Sequence, residues 1–311
     1  NNFLIEDNML CDKLMHFLCL PFSNETLCII HDIFRHIYVS SEKCASIVFH
    51  SGYFHQSVNF FYTSKFDPKD EEHAEERESI FSRVIHSLRF GIQFFKKISE
   101  LFFDDKYKDR FIYLLKECNF SNNVIHELIC LTDSMISSRP EKDVALLITP
   151  VLLDYFIDPN YTKICCDTLI RCTKFPYLYK YLSNYFVKNN KGQNWSTDLI
   201  SLVLTVLSSN DQVYDIKAKV KSFVLLSNIL YFFQSNSPKI NPSQLTVDII
   251  TVDFLNSNIV GLLNPEIVTK PKHLEMIINS ISQISLNDPS IPSVICESDV
   301  FQTLLELVNN P

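Results

Sequence analysis

Histidine and cysteine side chains are the first candidates for metal binding or nucleophilic catalysis in this sequence. Its ten cysteines and nine histidines are scattered along the chain, and no two cysteines form a Cys-x-x-Cys pair. His31 and His36 are five residues apart, which places them about 140° apart around a helix, so they cannot share a metal ion. The spacing therefore indicates reduced, buried thiols of a cytoplasmic or nuclear protein rather than a metal site.

Cys165, Cys166 and Cys172 lack the pattern of a zinc site. Cys11, His16 and Cys19 fall near one predicted helix, where we interpret them as buried structural residues, with metal ligation as the less favoured alternative. The chain contains no phosphate-binding glycine loop, Gly-x-Ser-x-Gly elbow, His-Glu-x-x-His motif or kinase signature. We therefore predict no catalytic residue, no metal and no cofactor. An all-α enzyme whose site is assembled from scattered residues is kept as a remote alternative.

Basic and aromatic residues alternate between positions 159 and 192. The basic residues are Lys163, Arg171, Lys174, Lys180, Lys188 and Lys191, against Asp167 alone, and the interleaved aromatic residues include Phe175, Tyr177, Tyr179, Tyr181, Tyr185 and Phe186. Such a pattern can bind an acidic protein surface or a phosphate backbone. The alternative is that the aromatic residues belong to the core of the protein.

The composition limits the classes of protein and ligand. The net charge of −8 disfavours nucleic acid as the main ligand, since phosphate contacts require a basic surface. Only four glycines are present, too few for the turns of a doubly wound α/β fold or a TIM barrel. The longest apolar run, 222–233, is shorter than the about 18 to 20 residues of a membrane span. The first residue is Asn1, so the chain can be a fragment of a longer one.

Nearly every segment has apolar residues at the three- and four-residue spacing of a helix. We predict helices at 3–19, 24–39, 41–50, 53–63, 77–103, 106–118, 122–138, 141–157, 160–173, 176–189, 196–209, 215–235, 242–251, 252–263, 271–286, 290–297 and 299–309. Lys217, Lys219 and Lys221 predict a solvated N-terminal end for the helix at 215–235. The acidic segment 65–78 is predicted to be a charged, flexible insertion between helices.

Segments 26–61 and 274–308, and more weakly 220–263, share one order of helices, in which a long helix is followed by a polar turn, a short helix, a bend and another apolar helix. This order resembles armadillo repeats, with Gly52 at the position of the family's bend glycine and Ser298-Asp299 departing from that pattern. The resemblance implies an all-α, right-handed α-solenoid of armadillo/HEAT-like repeats that forms a single domain over 1–311.

The same resemblance implies a binding groove, because in armadillo proteins the third helix of each repeat lines a concave groove. Members similar to importin-α carry tryptophan and, four residues later, asparagine there. The corresponding positions of this chain hold Asp32 and His36, Val224 and Asn228, and Asn279 and Gln283. Asn228 alone matches, and no tryptophan does, which disfavours recognition of nuclear localisation signals. Peptide binding by His36, Asn228 and Gln283 stays a hypothesis beside their interpretation as solvated polar residues.

We expect a non-enzymatic protein–protein interaction scaffold or adaptor, a subunit of a larger assembly. The alternative is a transport or regulatory adaptor that reads linear peptides through the groove. The expected partner is another protein, met as a folded surface or an extended peptide. The predicted partner-binding residues are His36, Asn228, Asn279 and Gln283 in the groove, and Lys174, Tyr177, Lys180 and Tyr181 in the basic aromatic patch.

Overall fold

The computed structural model describes residues 8–20, 22–63, 74–102, 111, 113–114, 120–138, 142–175, 177–178, 182, 198–210, 212–236, 242–265, 268 and 270–309. All regular secondary structure in these ranges is helical, which confirms the prediction of an all-α protein. The chain forms two compact units, Asn1–Val151 and Leu152–Pro311. Judged by length and apolar content, none of the described helices could cross a membrane.

The first unit is built from seven described α-helices and one 3₁₀ helix. They are α1 (Asn8–Leu18), α2 (Asn24–Ser40), α3 (Glu42–His50), α4 (Tyr53–Thr63), α5 (Ala74–Phe94), a 3₁₀ helix (Lys96–Phe102), α6 (Asn122–Ser138) and α7 (Lys142–Tyr155), which ends within the second unit. The Ser41 hydroxyl accepts a hydrogen bond from the Cys44 N–H at 3.1 Å and caps α3. Gly52 bends the chain before α4 with φ of +85°, a conformation that favours glycine.

Aromatic rings fill the core of the first unit, where α5 packs between α2 and α6. Phe34 and Tyr53 stack with ring centroids 4.0 Å apart, and Phe61 and Phe81 stack at 5.2 Å. All four rings are fully buried. Burial of such large side chains is the main contribution to the stability of a helical unit of this kind.

Gly91 lets α5 approach the ring of Phe54 more closely than any other residue would allow. A Cβ atom at position 91 would lie 2.4 Å from Phe54 Cε1 and 3.0 Å from Ile98 Cδ1. Phe54 and Ile98 are both fully buried, so neither can move aside without disturbing the core.

A buried chain of hydrogen bonds connects α2, α4 and α5. His31 Nδ1 lies 2.7 Å from the Tyr53 hydroxyl, which lies 2.7 Å from Ser87 Oγ. The Tyr38 hydroxyl donates to the backbone oxygen of Ser87 at 2.9 Å. Because leaving a buried polar group without a partner costs free energy, these hydrogen bonds fix the relative positions of the three helices.

The second unit is arranged around one long helix, α10. Its helices are α8 (Thr162–Thr173), α9 (Leu199–Ser208), α10 (Ile216–Asn236), α11 (Pro242–Ile249), α12 (Val252–Asn258), α13 (Val260–Leu263), α14 (Pro271–Ser285), α15 (Ile291–Glu297) and α16 (Asp299–Asn309). α10 packs against α8, α9 and α14. Lys219 is buried and donates to the backbone oxygen of Ser209, the C-cap residue of α9.

The observed helices differ from the predicted ones at several places. The helix predicted at 77–103 ends at Phe94, and a 3₁₀ helix follows that buries Ile98 and Phe102. The helix predicted at 252–263 is divided at Ile259, which is fully buried. α5 begins at Ala74, within the predicted insertion at 65–78, and residues 65–73 of that insertion lie outside the described residues.

The cysteines only partly match the prediction of buried thiols. Cys11, Cys44, Cys165, Cys166 and Cys172 are buried, whereas Cys19 and Cys296 are exposed. Burial raises the pKa of Cys11 to about 11 and that of Cys166 to about 12, which keeps both as neutral thiols.

Candidate interaction surface

Three long helices of the second unit, α8, α10 and α14, lie side by side with α10 in the middle. Lys221 of α10 forms an ion pair with Asp167 of α8, and farther along Asn228 Nδ2 donates to Thr173 Oγ1 at 3.3 Å. The two contacts advance in the same direction along both helices. α8 and α10 are therefore parallel.

On its other side, α10 is connected to α14 through Ser227. The Ser227 hydroxyl donates to Gln283 Oε1 at 2.9 Å and lies 3.2 Å from the backbone oxygen of Ser280. Nearer the helix starts, Lys217 of α10 interacts electrostatically with His273 of α14. α14 thus also runs parallel to α10, and we call α8, α10 and α14 together the ladder.

All three ladder helices contribute exposed or half-buried residues to one side of the ladder. We call it the ladder face, and it consists of Lys163, Asp167, Ile170 and Lys174 from α8 and its C-cap, Lys217, Lys221, Val224, Asn228 and Tyr231 from α10, and Met276, Asn279 and Gln283 from α14. On α10 these residues recur at three- and four-residue spacing and so share one stripe. The remaining residues between 218 and 230 are all buried. Between positions 218 and 230, α10 is therefore open to solvent only on the ladder face.

One end of the ladder carries a group of cations, which we call the basic end: Lys163, Lys217, Lys221, Lys270 and His273. Lys221 pairs with Asp167. Lys163, Lys217 and Lys270 form no ion pair with any residue that the structure describes. The three helices also begin here, and the partial positive charge of a helix N-terminus adds to the field of the lysines.

His273 reports on how closely these charges are grouped. Burial lowers the pKa of His273, and the ammonium groups of Lys270, Lys217, Lys221 and Lys163 lower it further. The nearby carboxylate of Asp215 caps α10 by accepting a hydrogen bond from the Ala218 N–H at 2.7 Å. The result is a local positive field on a chain whose net charge is −8.

The predicted groove residues occupy different surroundings. Asn228 and Gln283 are half-buried and connect the ladder helices, whereas Asn279 is exposed on α14. His36 is exposed on α2 and belongs to the first unit. The amides of Asn228 and Gln283 already bond to neighbouring helices. The hypothesis that these side chains hold a peptide stays a prediction.

The predicted basic aromatic patch is only partly described. Lys174 is exposed at the end of α8, and Tyr177 is exposed with its ring 5.8 Å from that of Phe175. Lys180 and Tyr181 lie outside the described residues. Lys163, the first lysine of that patch, lies instead with the lysines of α10 in the basic end.

The sequence did not predict that lysines from three helices form the basic end, although the spacing of the lysines on α10 indicated part of it. Lys217 and Lys221 are four residues apart and lie on one stripe, as the predicted solvated helix end requires. Lys219, which was predicted to be solvated with them, is buried on the opposite side of α10. The correction follows from helix geometry, because residues two apart point in nearly opposite directions.

The first unit also has three parallel long helices, α2, α5 and α6, but its charges there are paired. Arg83 lies 3.3 Å from Asp32, and Arg89 lies 2.9 Å from Glu127. Burial would raise the pKa of Glu127, but the hydrogen bond from His86 and the charge of Arg89 more than offset it, and the pKa is lowered. Because these charges are paired, the surface of α2, α5 and α6 attracts a charged partner less strongly than the basic end does.

A cavity of about 410 Å³ opens between the starts of α5 and α6. It is lined by charged and polar side chains that include Glu78, Arg83, His86 and Asn123. Glu78 accepts a hydrogen bond from the Ser121 N–H at 3.1 Å and so joins the two helices. Among the described residues, no group of three or more histidine, cysteine or acidic side chains could hold a metal ion.

Comparison with known proteins finds no matching family model and no curated protein whose sequence matches this chain. Any function must therefore be argued from the ladder face itself.

Proposed function

We propose that this chain is a non-enzymatic interaction scaffold that holds another protein on the ladder face, as an adaptor or as a subunit of a larger assembly. One observation carries the proposal: between positions 218 and 230, α10 is buried except for one stripe. The ladder face that contains this stripe joins Lys163 and Lys217, which form no ion pair with a described residue, to half-buried apolar side chains. Val224, Ile170 and Met276 supply the apolar part. A polar rim beside an apolar centre is the usual composition of a protein interface.

We further propose that the helices form a right-handed α-solenoid of the armadillo/HEAT type. The support is that each unit contains three parallel long helices, and that α2 and α14 are each followed by two shorter helices. In such an arrangement the long helices line one surface, which suits a large partner. We place the protein in the cytoplasm or nucleus, an assignment supported by its buried thiols.

A second function, the reading of linear peptides by an adaptor, is favoured by one observation. Asn279 is exposed on the ladder face and has an amide suited to the backbone of an extended peptide. A structural subunit should require a folded partner surface, whereas a peptide reader should also bind an isolated peptide of that partner.

The proposed function is tested by purifying the tagged chain from its native cells after chemical cross-linking. We expect partner cross-links to be enriched at Lys163, Lys217 and Lys270 over Lys96 and Lys97, which are exposed in the first unit. Val224→Arg should release the partner, because a long cation would replace a half-buried apolar contact.

Val247→Arg provides the matched control, because Val247 is 37% exposed on α11, outside the ladder. It should retain the partner, and circular dichroism should show that both variants keep their helix content. Retention of the partner by Val224→Arg, with cross-links concentrated away from the ladder face, would refute the proposed function.

A further inference from the structure

We propose that the basic end of the ladder binds an acidic peptide segment of the partner protein, one with Asp or Glu at alternate positions. The inference deepens the proposed function and rests on it. It starts from the four lysines that three separate helices bring together: Lys163 from α8, Lys217 and Lys221 from α10, and Lys270 just before α14.

These lysines are available to a ligand. Lys163 and Lys270 are exposed and Lys217 is half-buried, and none of the three forms an ion pair with a described residue. Of the carboxylates nearby, Asp167 pairs with Lys221, and Asp215 is engaged in capping α10. The positive field of the basic end is thus only partly neutralised from within the unit.

The spacing of the helices sets the form of the ligand. Packed helix axes lie about 8 to 10 Å apart, so α8 and α14 are separated by roughly 20 Å across α10. In an extended peptide, alternate side chains lie on one side and are about 7 Å apart. Three acidic side chains at alternate positions would span about 14 Å. The flexible stems of the lysines can close the remaining distance.

The small extent of the cluster on an acidic chain favours carboxylates of a protein over nucleic acid. The basic end consists of four lysines and one histidine. A nucleic acid would extend beyond the patch, over a chain with 36 acidic against 28 basic residues. A short acidic segment would contact only the positively charged basic end.

The apolar residues next to the basic end add a second requirement. Val224 is one turn beyond Lys221 on α10, and Ile170 is one turn beyond Asp167 on α8. Both are half-buried and would be covered by an apolar side chain that accompanies the acidic residues. A segment of alternating glutamates with a leucine beside them fits this surface.

The test uses the intact chain and a fluorescein-labelled peptide with three glutamates at alternate positions and one leucine. Fluorescence anisotropy would give its Kd at about 50 mM and about 200 mM salt, and we expect weaker binding at the higher salt. Replacement of Lys163, Lys217 and Lys270 by Glu should weaken binding about tenfold or more, since three favourable charge contacts become repulsive. The corresponding Gln variant should show a smaller loss in the same direction.

A matched control separates the local effect from that of net charge. Replacement of Lys43, Lys96 and Lys97 by Glu changes the net charge by the same amount at exposed sites of the first unit. We expect a loss of about twofold at most, from long-range repulsion alone. Equal losses in the two variants would overturn the proposal, as would equal binding of a peptide with Gln in place of Glu, or tighter binding of an oligonucleotide of equal charge.

The outcome can be separated from that of the proposed function. If the Glu variant of the basic end still retains the natural partner, with cross-links at the remaining ladder-face lysines Lys174 and Lys221, the acidic-segment proposal fails and the scaffold proposal stands. If Val224→Arg also retains that partner and the cross-links lie elsewhere, both proposals fail.

Discussion

At the scale of single residues, His31 is the clearest example of a polar group whose environment controls its chemistry. It is 7% exposed, and its Nδ1 atom lies 2.7 Å from the hydroxyl of Tyr53. Burial lowers the pKa of His31 to about 4, and the nearby charge of Asp32 offsets this only in part. The folded protein therefore holds the imidazole neutral at pH values where an unfolded chain would bind a proton.

We predict that His31 makes the stability of the protein depend on pH between about 6.5 and 4. The unfolded chain binds the proton near pH 6.5 and the folded one only near pH 4, so stability is full above 6.5 and falls as the pH falls. At pH 5 the loss relative to pH 7.5 should be about 2 kcal/mol. Urea unfolding of the parent protein and of His31→Gln at both pH values would measure it.

The variant should lose most of this pH dependence, whatever its own stability. His50→Gln, at an exposed site on α3, should keep it. If His31→Gln and the parent protein lost equal free energy between pH 7.5 and 5, the buried imidazole would not be its source.

At the scale of helices, two glycines are predicted to respond in opposite ways to replacement by alanine. Gly91→Ala should destabilise the protein by about 1 to 3 kcal/mol, because the new Cβ would lie 2.4 Å from the buried ring of Phe54. Gly261→Ala, in α13, has no atom within 4 Å of the new Cβ and should be neutral or stabilising by up to about 1 kcal/mol. Urea midpoints of the two variants would decide, and a stable Gly91→Ala protein would show that the Phe54 ring can move.

The existence of most helices could be predicted from the sequence, because apolar periodicity and polar caps act locally. The division after Phe94 could not, because it depends on the burial of Ile98 and Phe102 in a core whose other members are distant in the chain. The same limit applies to the site: Asn228 was assigned to a groove by its helix, but its bond to Thr173 spans 55 residues. Such contacts depend on how the packed helices are aligned along each other, and the periodicity of apolar residues does not predict that alignment.

At the scale of the whole molecule, the proposed solenoid makes a prediction about shape. A stack of helical repeats has a core that grows along one axis, so its radius of gyration should exceed the about 19 to 20 Å of a compact protein of this length. Small-angle scattering of the intact chain, with circular dichroism dominated by helix, would measure it. A profile that fits a compact sphere would exclude the solenoid and leave the all-α fold unaffected.

The distribution of exposed thiols has a practical consequence for studying the molecule. Cys19 belongs to the first compact unit and Cys296 to the second, and both are exposed, whereas the described cysteines nearest to the ladder core are buried. Reagents that alkylate thiols should reach these two positions well before Cys166. Among the described cysteines, each unit thus has one exposed attachment point for a fluorophore, and energy transfer between the two labels could be followed when a partner is added.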